Sequence, residues 1–229
     1  MKLILFLILK TIKIIIEEYI HRCLSAESDV LTELYRQTHL KVPNGGMISG
    51  HEQGRLLSMF SHMIAPKNIL EIGTFTGYSA ICLAEGLAPN GKLHTIEQND
   101  ELRDFALSFF EKAGMSDKIV QYTGDALDII PTFHIMFDLV FIDAAKNKYM
   151  DYYQSVLDKV CPNGYILIDN ILWYDKVADN SCNDKKTNAL RDFNAFVGTD
   201  LRVEKAIVQN RDGLFILRKR VNSLNNVKQ

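Results

Sequence analysis

Two short runs constrain this chain more than any other feature. Phe137–Asp143 reads FDLVFID and Gly164–Asp169 reads GYILID. Both are apolar almost throughout, and both close on an aspartate. Successive residues of a strand point to opposite faces, so a strand with one wet face alternates polar and apolar side chains. A nearly unbroken apolar run needs cover on both faces, which is the situation of a central strand in a parallel sheet. Parallel strands need long crossovers, usually helices. The rest of the chain alternates β-branched runs with helical patterns, so the expected class is α/β with a mostly parallel sheet.

The remaining elements follow from the same signals. Helices are expected first over 13–24, 27–39 and 50–64, with Ser28 or Asp29 capping the second. Lys41–Gly46 (KVPNGG) is a loop. Strands are expected at 68–72, 92–97 and 119–123, ahead of the two apolar runs. Helices are expected near 76–87, 100–113, 126–130, 149–160 and 186–197. Two last strands, 202–209 and 213–218, turn tightly at Arg211-Asp212-Gly213 and so form an antiparallel hairpin. Without a linker or repeat, residues 1–229 read as a single domain. It divides into an atypical apolar extension at 1–13, N-terminal helices at 14–64 and a core at 65–220.

Composition removes some function classes. The net charge of −2 gives no overall electrostatic case for nucleic acid. Cys23, Cys82, Cys161 and Cys182 form no close pair, so neither a zinc site nor a redox motif is indicated. They are expected to be buried free thiols in a reducing compartment, the cytoplasm. The N-terminal MKLILFLILKTIKIII resembles a signal peptide, but Lys10 and Lys13 interrupt it and no small-x-small cleavage site follows. It is also shorter than the roughly 20 apolar residues of a membrane span. An amphipathic or buried helix at a subunit contact is expected; residues without a role, added by an upstream start, are the other reading.

The first strand runs into EIGTFTGYS (Glu71–Ser79). Glycine allows a sharp turn and close approach of the backbone to a ligand, and Gly73 and Gly77 fit that need. The run is not GxGxxG, which disfavours a dinucleotide pyrophosphate. Twenty-four residues after Gly73, the second strand ends in Glu97, where a carboxylate can accept both hydroxyls of a ribose. Turn and acid together favour an adenosine-bearing ligand. Gly124-Asp125-Ala126 ends the third strand on the same rim; Asp125 can line the adenine, cap the next helix, or both.

Asp143 ends the fourth strand, and Asp169-Asn170 ends the fifth. If these strands are neighbours, two carboxylates and an amide oxygen converge. These hard ligands suit Mg²⁺, Ca²⁺ or Mn²⁺. Each aspartate alone is as readily a helix cap; the set favours a metal. Lys146 follows Asp143 by three residues and can serve as a general base if a cation lowers its pKa. Lys148 is expected to be solvated.

These residues resemble the cation-dependent O-methyltransferases that include the caffeoyl-CoA and catechol enzymes, in particular their bacterial members. The likeness covers about Ile16 to Arg218. It is carried by MISGHEQG (Met47–Gly54), EIGTFTGYSA (Glu71–Ala80), FIDAAK (Phe141–Lys146) and DNILW (Asp169–Trp173). The resemblance implies a seven-stranded Rossmann-like sheet with an antiparallel last strand, a homodimer, and S-adenosylmethionine (SAM) as methyl donor. It implies cofactor contacts at Met47, Ser49, Glu71, Gly73, Ser79, Glu97, Ala126 and Asp143. It implies metal ligands at Asp143, Asp169 and Asn170, a catalytic Lys146, and an aromatic Trp173 at the substrate mouth. The chain departs from the pattern at Ala145, where many relatives carry an acid, and in its first thirteen residues. The acceptor implied is a catechol-like or caffeoyl-type small molecule, with no role for nucleic acid or membrane. Two other readings stay open here: a nicotinamide-dependent oxidoreductase on a similar sheet, and a non-catalytic SAM-binding or membrane-associated protein.

Overall fold

The computed structural model describes residues 2–221, with side chains described from Thr11 onward except at positions 13 and 17. Met1 and the side chains of most of the apolar extension therefore lie outside the described residues. Seven strands form one sheet: β1 (Asn68–Ile72), β2 (Lys92–Glu97), β3 (Ile119–Thr123), β4 (Phe137–Ile142), β5 (Val160–Asp169), β6 (Val203–Val208) and β7 (Leu214–Lys219). Their order is β3-β2-β1-β4-β5-β7-β6. Strand β7 runs antiparallel to both neighbours, and the other pairings are parallel. The helices are α1 (Lys2–Cys23), α2 (Asp29–Lys41), α3 (Gly50–Ile64), α4 (Tyr78–Ala84), α5 (Arg103–Lys112), α6 (Ala126–Ile129), α7 (Tyr149–Leu157) and α8 (Lys185–Thr199).

The apolar runs do what their pattern requires. In β4, Val140 and Ile142 pack with Tyr149, Tyr153, Leu190 and Phe193 of α7 and α8. Leu139 and Phe141 point the other way, against Leu31, Leu57, Ile81 and Phe110 of α2 to α5. All four strand residues are fully buried. Truncating a fully buried phenylalanine such as Phe141 to alanine costs about 3–5 kcal/mol. The sheet order reverses between β1 and β4, and the crevice at the carboxyl ends of such strands is where open α/β sheets bind ligands.

Several boundaries shift for local reasons. Helix α4 starts at Tyr78 rather than Thr76, because Phe75 and Gly77 take positive φ and cannot be helical. Strand β5 starts four residues earlier than expected, at Val160, and pairs with β4 through a register irregularity between Phe137 and Leu139. Helix α1 covers the expected extension and the expected first helix in one piece. Nothing in that stretch breaks a helix, since it holds neither glycine nor proline. Ile12, Ile14, Ile15, Ile16 and Tyr19 are exposed on it. Among the described residues no helix is long and apolar enough to cross a membrane. All four cysteines are free, but only Cys82 is buried; Cys23 is exposed and the other two are half-buried, which corrects the expectation for those three.

Candidate active site

A cavity of about 790 Å³ opens at the carboxyl ends of the parallel strands. One wall is the turn from β1 to α4. The amides of Gly73 and Thr74 donate to the Ile96 carbonyl, and the Asp143 amide donates to the Ile72 carbonyl. These bonds hold the turn between its two neighbouring strands. Gly73 has φ +103, and a Cβ there would overlap the Asp143 carbonyl oxygen. Close approach as well as conformation therefore demands glycine at this position. Glu97 lies across the turn and accepts hydrogen bonds from the amides of Phe75 (2.8 Å) and Asn99 (2.9 Å).

Beneath this turn lies Glu71, fully buried. Thr95 donates to one of its carboxyl oxygens at 2.5 Å, and the Thr74 and Thr95 hydroxyls are themselves bonded. Among the described residues the other oxygen, Oε1, makes no well-formed hydrogen bond, although the Ser79 side chain lies near enough to ease the carboxyl's burial. Burial pushes the Glu71 carboxyl up to about 8, because desolvation disfavours the charged form.

The acids stand beside this turn, at the ends of β4 and β5. Asp169 ends β5, is 2% exposed, and accepts from the Gln53 side chain through Oδ2 at 2.8 Å. Its carboxyl is pushed up to about 6, first by burial and then by the nearby Asp143 carboxylate. Lys146 is buried and donates to Asp143 Oδ1 at 2.7 Å and to the Tyr149 hydroxyl at 2.6 Å. Tyr149 in turn donates to the Asp169 carbonyl at 2.9 Å. Burial alone would lower the Lys146 pKa, but Asp143 and Tyr149 together hold it above the ordinary lysine value. In this arrangement Lys146 is an ammonium group, partner to Asp143. Among the described residues no three His, Cys, Asp or Glu side chains form a metal-binding group; the set here is two carboxylates and the amide of Asn170.

The segment after β5 closes the mouth. Asn170, Trp173, Tyr174 and Asp175 all have positive φ, between 51 and 61°. Left-handed backbone costs a non-glycine residue about 1–2 kcal/mol, less for asparagine and aspartate. The hairpin tip between β6 and β7 supports the strained loop. The amides of Ile171 and Leu172 donate to the carbonyls of Gly213 and Asp212, and the Tyr174 amide donates to the Asp212 carboxylate. Lys186 lies over the Trp173 ring, 5.8 Å from its centroid.

A family model described as O-methyltransferase matches residues 22–220. The chain belongs to the O-methyltransferase family. The methyltransferase is 33% identical to a caffeoyl-CoA O-methyltransferase of Petroselinum crispum over 205 residues, covering 84% of this chain and 85% of that protein. It is 35% identical to a catechol O-methyltransferase of Niastella koreensis over 161 residues, 69% of this chain and 73% of the other. Among solved structures, it superposes on the O-methyltransferase of Bacillus cereus in complex with SAH, with a TM-score of 0.83 and 29% identity over 90% of this chain and 97% of that one. TomG of Streptomyces achromogenes in complex with SAM gives a TM-score of 0.84 and 29% identity, covering 90% of this chain and 96% of the other.

The methyltransferase cavity gathers Met47, Ser49, Gly73, Ser79, Glu97, Ala126, Asp143, Lys146, Asp169, Asn170 and Trp173. Glu71 is not among the lining residues; it lies below the wall. Asp125 also stands back from the cavity: it caps α6 by accepting from the Leu127 amide at 3.0 Å and pairs with Lys148 at 2.7 Å. Lys148 is thus an ion-pair partner rather than simply solvated. Sequence reasoning missed Gln53, Tyr149 and Arg211. Gln53 lay inside a motif already singled out and Arg211 inside the expected turn, but nothing in the sequence pointed either at a partner 116 or 158 positions away.

Proposed function

We propose that this O-methyltransferase transfers the methyl group of SAM to a hydroxyl of a catechol-like or caffeoyl-type small molecule, aided by a divalent cation. The observation that carries the reading is one cavity with two chemistries. A glycine turn with a ribose-ready Glu97 lines the same cavity as Asp143, Asp169, Asn170 and Lys146. The SAM and SAH complexes of the structural neighbours support the choice of donor.

The acid wall fits a cation. Asp143 and Asp169 are close enough that one raises the pKa of the other, and Asp169 is buried. A hard divalent ion, Mg²⁺ ahead of Ca²⁺ or Mn²⁺, offsets that repulsion and suits an all-oxygen set. Asp143, Asp169 and Asn170 would hold it. When bound, such an ion supplies Lewis-acid stabilisation of a developing oxyanion.

The protein's own residues do the rest. Glu97 accepts the ribose hydroxyls of the donor. Trp173 offers a flat wall to an aromatic acceptor. Once the Asp143 charge is engaged elsewhere, Lys146 can release its ammonium proton to solvent and, as a neutral amine, take the proton of the attacking hydroxyl. The oxygen forms its bond to the methyl carbon as the carbon–sulfur bond breaks, leaving a neutral thioether. No covalent nucleophile on the protein is needed. The same family reading carries a homodimer working in the cytoplasm.

A panel of catechols and caffeoyl esters with labelled SAM, run with Mg²⁺ and with EDTA, tests the reaction. Asp169→Ala should abolish Mg²⁺-dependent turnover yet keep most SAM affinity by calorimetry. Full activity of this variant in EDTA would remove the metal from the reading. Lys146→Ala should slow single-turnover methyl transfer about 100-fold or more; an unchanged rate would remove Lys146 as the base.

A further inference from the structure

The acid Asp169 is held by a side chain that none of the roles above uses. Gln53 lies on α3, is 2% exposed, and donates through Nε2 to Asp169 Oδ2 at 2.8 Å. Its own Oε1 accepts from Arg211 at 2.8 Å. Arg211 sits at the tip between β6 and β7, with φ +48, and also donates to the Ser49 carbonyl. Both ends of the Gln53 amide are therefore committed. An amide turned over would set its oxygen against the Asp169 carboxylate and its NH₂ against a guanidinium, so the orientation is fixed by its neighbours.

We infer that Gln53 is a positioning residue for Asp169, with Arg211 as the clamp that sets it. The inference rests on the metal reading above and deepens it. A hydrogen bond to Oδ2 fixes the rotation of the carboxylate and, among the described residues, leaves Oδ1 without a protein donor, free for a ligand. Groups that orient metal ligands in this way affect metal affinity nearly as much as some ligands do, about 10–100-fold on removal. The choice of glutamine is chemically specific. A glutamate would pair with Arg211 equally well, but it would offer Asp169 no donor and would add a third acid beside Asp143 and Asp169. Arg211 also joins two parts of the cavity, since the Ser49 carbonyl it holds belongs to the wall facing the donor site.

The test separates positioning from folding by reading metal binding without turnover. Mn²⁺ is titrated into the full chain and free Mn²⁺ is followed by electron paramagnetic resonance. SAM affinity is measured by calorimetry and folding by urea denaturation. Gln53→Leu is expected to weaken Mn²⁺ binding about tenfold, with SAM affinity within about twofold and the urea slope unchanged. Arg211→Met is expected to weaken it less, in the same direction. The double variant should be no weaker than Gln53→Leu alone, because the clamp orients the Asp169 carboxylate through the amide. Normal Mn²⁺ affinity in Gln53→Leu overturns the inference while leaving the metal reading intact. A parallel loss of Mn²⁺ and SAM affinity also overturns it, in favour of a purely structural role. If Gln53→Leu fails to fold, Arg211→Met decides: unchanged Mn²⁺ affinity there overturns the clamp. Failure of the parent chain to bind Mn²⁺ overturns the metal reading and the inference together.

Discussion

The two walls of the cavity reach their shapes by opposite means. The wall proposed for the donor is a short local motif in which glycine supplies what no other residue can. Gly73 and Gly77 carry the positive φ values, and a Cβ at either would collide, with the Asp143 carbonyl and with the Phe110 ring respectively. The wall proposed for the acceptor has equally left-handed backbone, at Asn170, Trp173, Tyr174 and Asp175, with no glycine among them. That loop is held from outside, by the hairpin tip at Asp212 and Gly213 and by Asn194, whose side chain donates to the Ile171 carbonyl at 2.8 Å. One wall is specified where it stands, and the other is specified about forty residues downstream. Strained backbone of the second kind persists only where surrounding structure over-determines it.

The largest expected effect is on the donor wall. Gly73→Ala must displace the Asp143 backbone or abandon φ +103. A destabilisation of about 3 kcal/mol or more is expected, with loss of SAM binding, as read from urea midpoints and calorimetry. A well-folded Gly73→Ala variant with normal SAM affinity would mean that this wall, too, is adjustable.

The next effect lies in the foundation of the same wall. Glu71 has its folded pKa raised to about 8 by burial, from an ordinary value of 4.5. Between those values the folded chain keeps a proton that the unfolded chain releases. Its contribution to stability is therefore full below about pH 4.5 and is lost as pH rises through about 8. Glu71→Gln should flatten the fall in urea midpoint across that window. A parent and variant with parallel pH profiles would show that Glu71 does not supply the slope.

This contrast also explains what could be read from the sequence. The sheet was legible because β4 and β5 are apolar on both faces, and a strand's burial is written in its own residues. Gly73, Glu97, Asp143 and Asp169 were legible as strand ends followed by turns. The neighbour relation of β4 and β5, which brings the last two together, was left open by the residues, since no local signal carries it; the strand pairing supplies it. Gln53 and Arg211 were not legible, since each acts on partners more than a hundred positions away. Nor was the left-handed loop at 173–175. Trp-Tyr-Asp carries no turn signature strong enough to predict three such residues, and the cause lies in the β6–β7 tip. The first helix was expected to start at residue 13, whereas α1 runs Lys2–Cys23: Lys10 and Lys13 interrupt the apolar run without interrupting the helix.

A smaller effect is expected where the tip meets the acceptor wall. Asp212→Ala removes the acceptor of the Tyr174 amide, a bond of 2.5 Å. The net loss should be about 1 kcal/mol. Function should suffer asymmetrically, with KM for the acceptor rising about tenfold and KM for SAM staying within twofold, because only contacts on one side move. Equal changes in both constants would mean that the two walls are not independently held.

The smallest effect discriminates most finely between the two modes of construction. Asp175 is exposed, has φ +61 and lies at the end of the left-handed run. Asp175→Gly relieves backbone strain of about 1 kcal/mol and gives the unfolded chain extra freedom that costs about 0.4–1 kcal/mol. The two nearly cancel, so the urea midpoint should stay the same or rise slightly. Acceptor KM should change by less than about threefold, since the loop takes its shape from the Asp212 and Gly213 contacts and not from the Asp175 side chain. Glycine can then be added to one wall at no cost, although it cannot be removed from the other. A loss above about 1 kcal/mol on Asp175→Gly would place the information for the acceptor wall in its own residues, and the two walls would be alike after all.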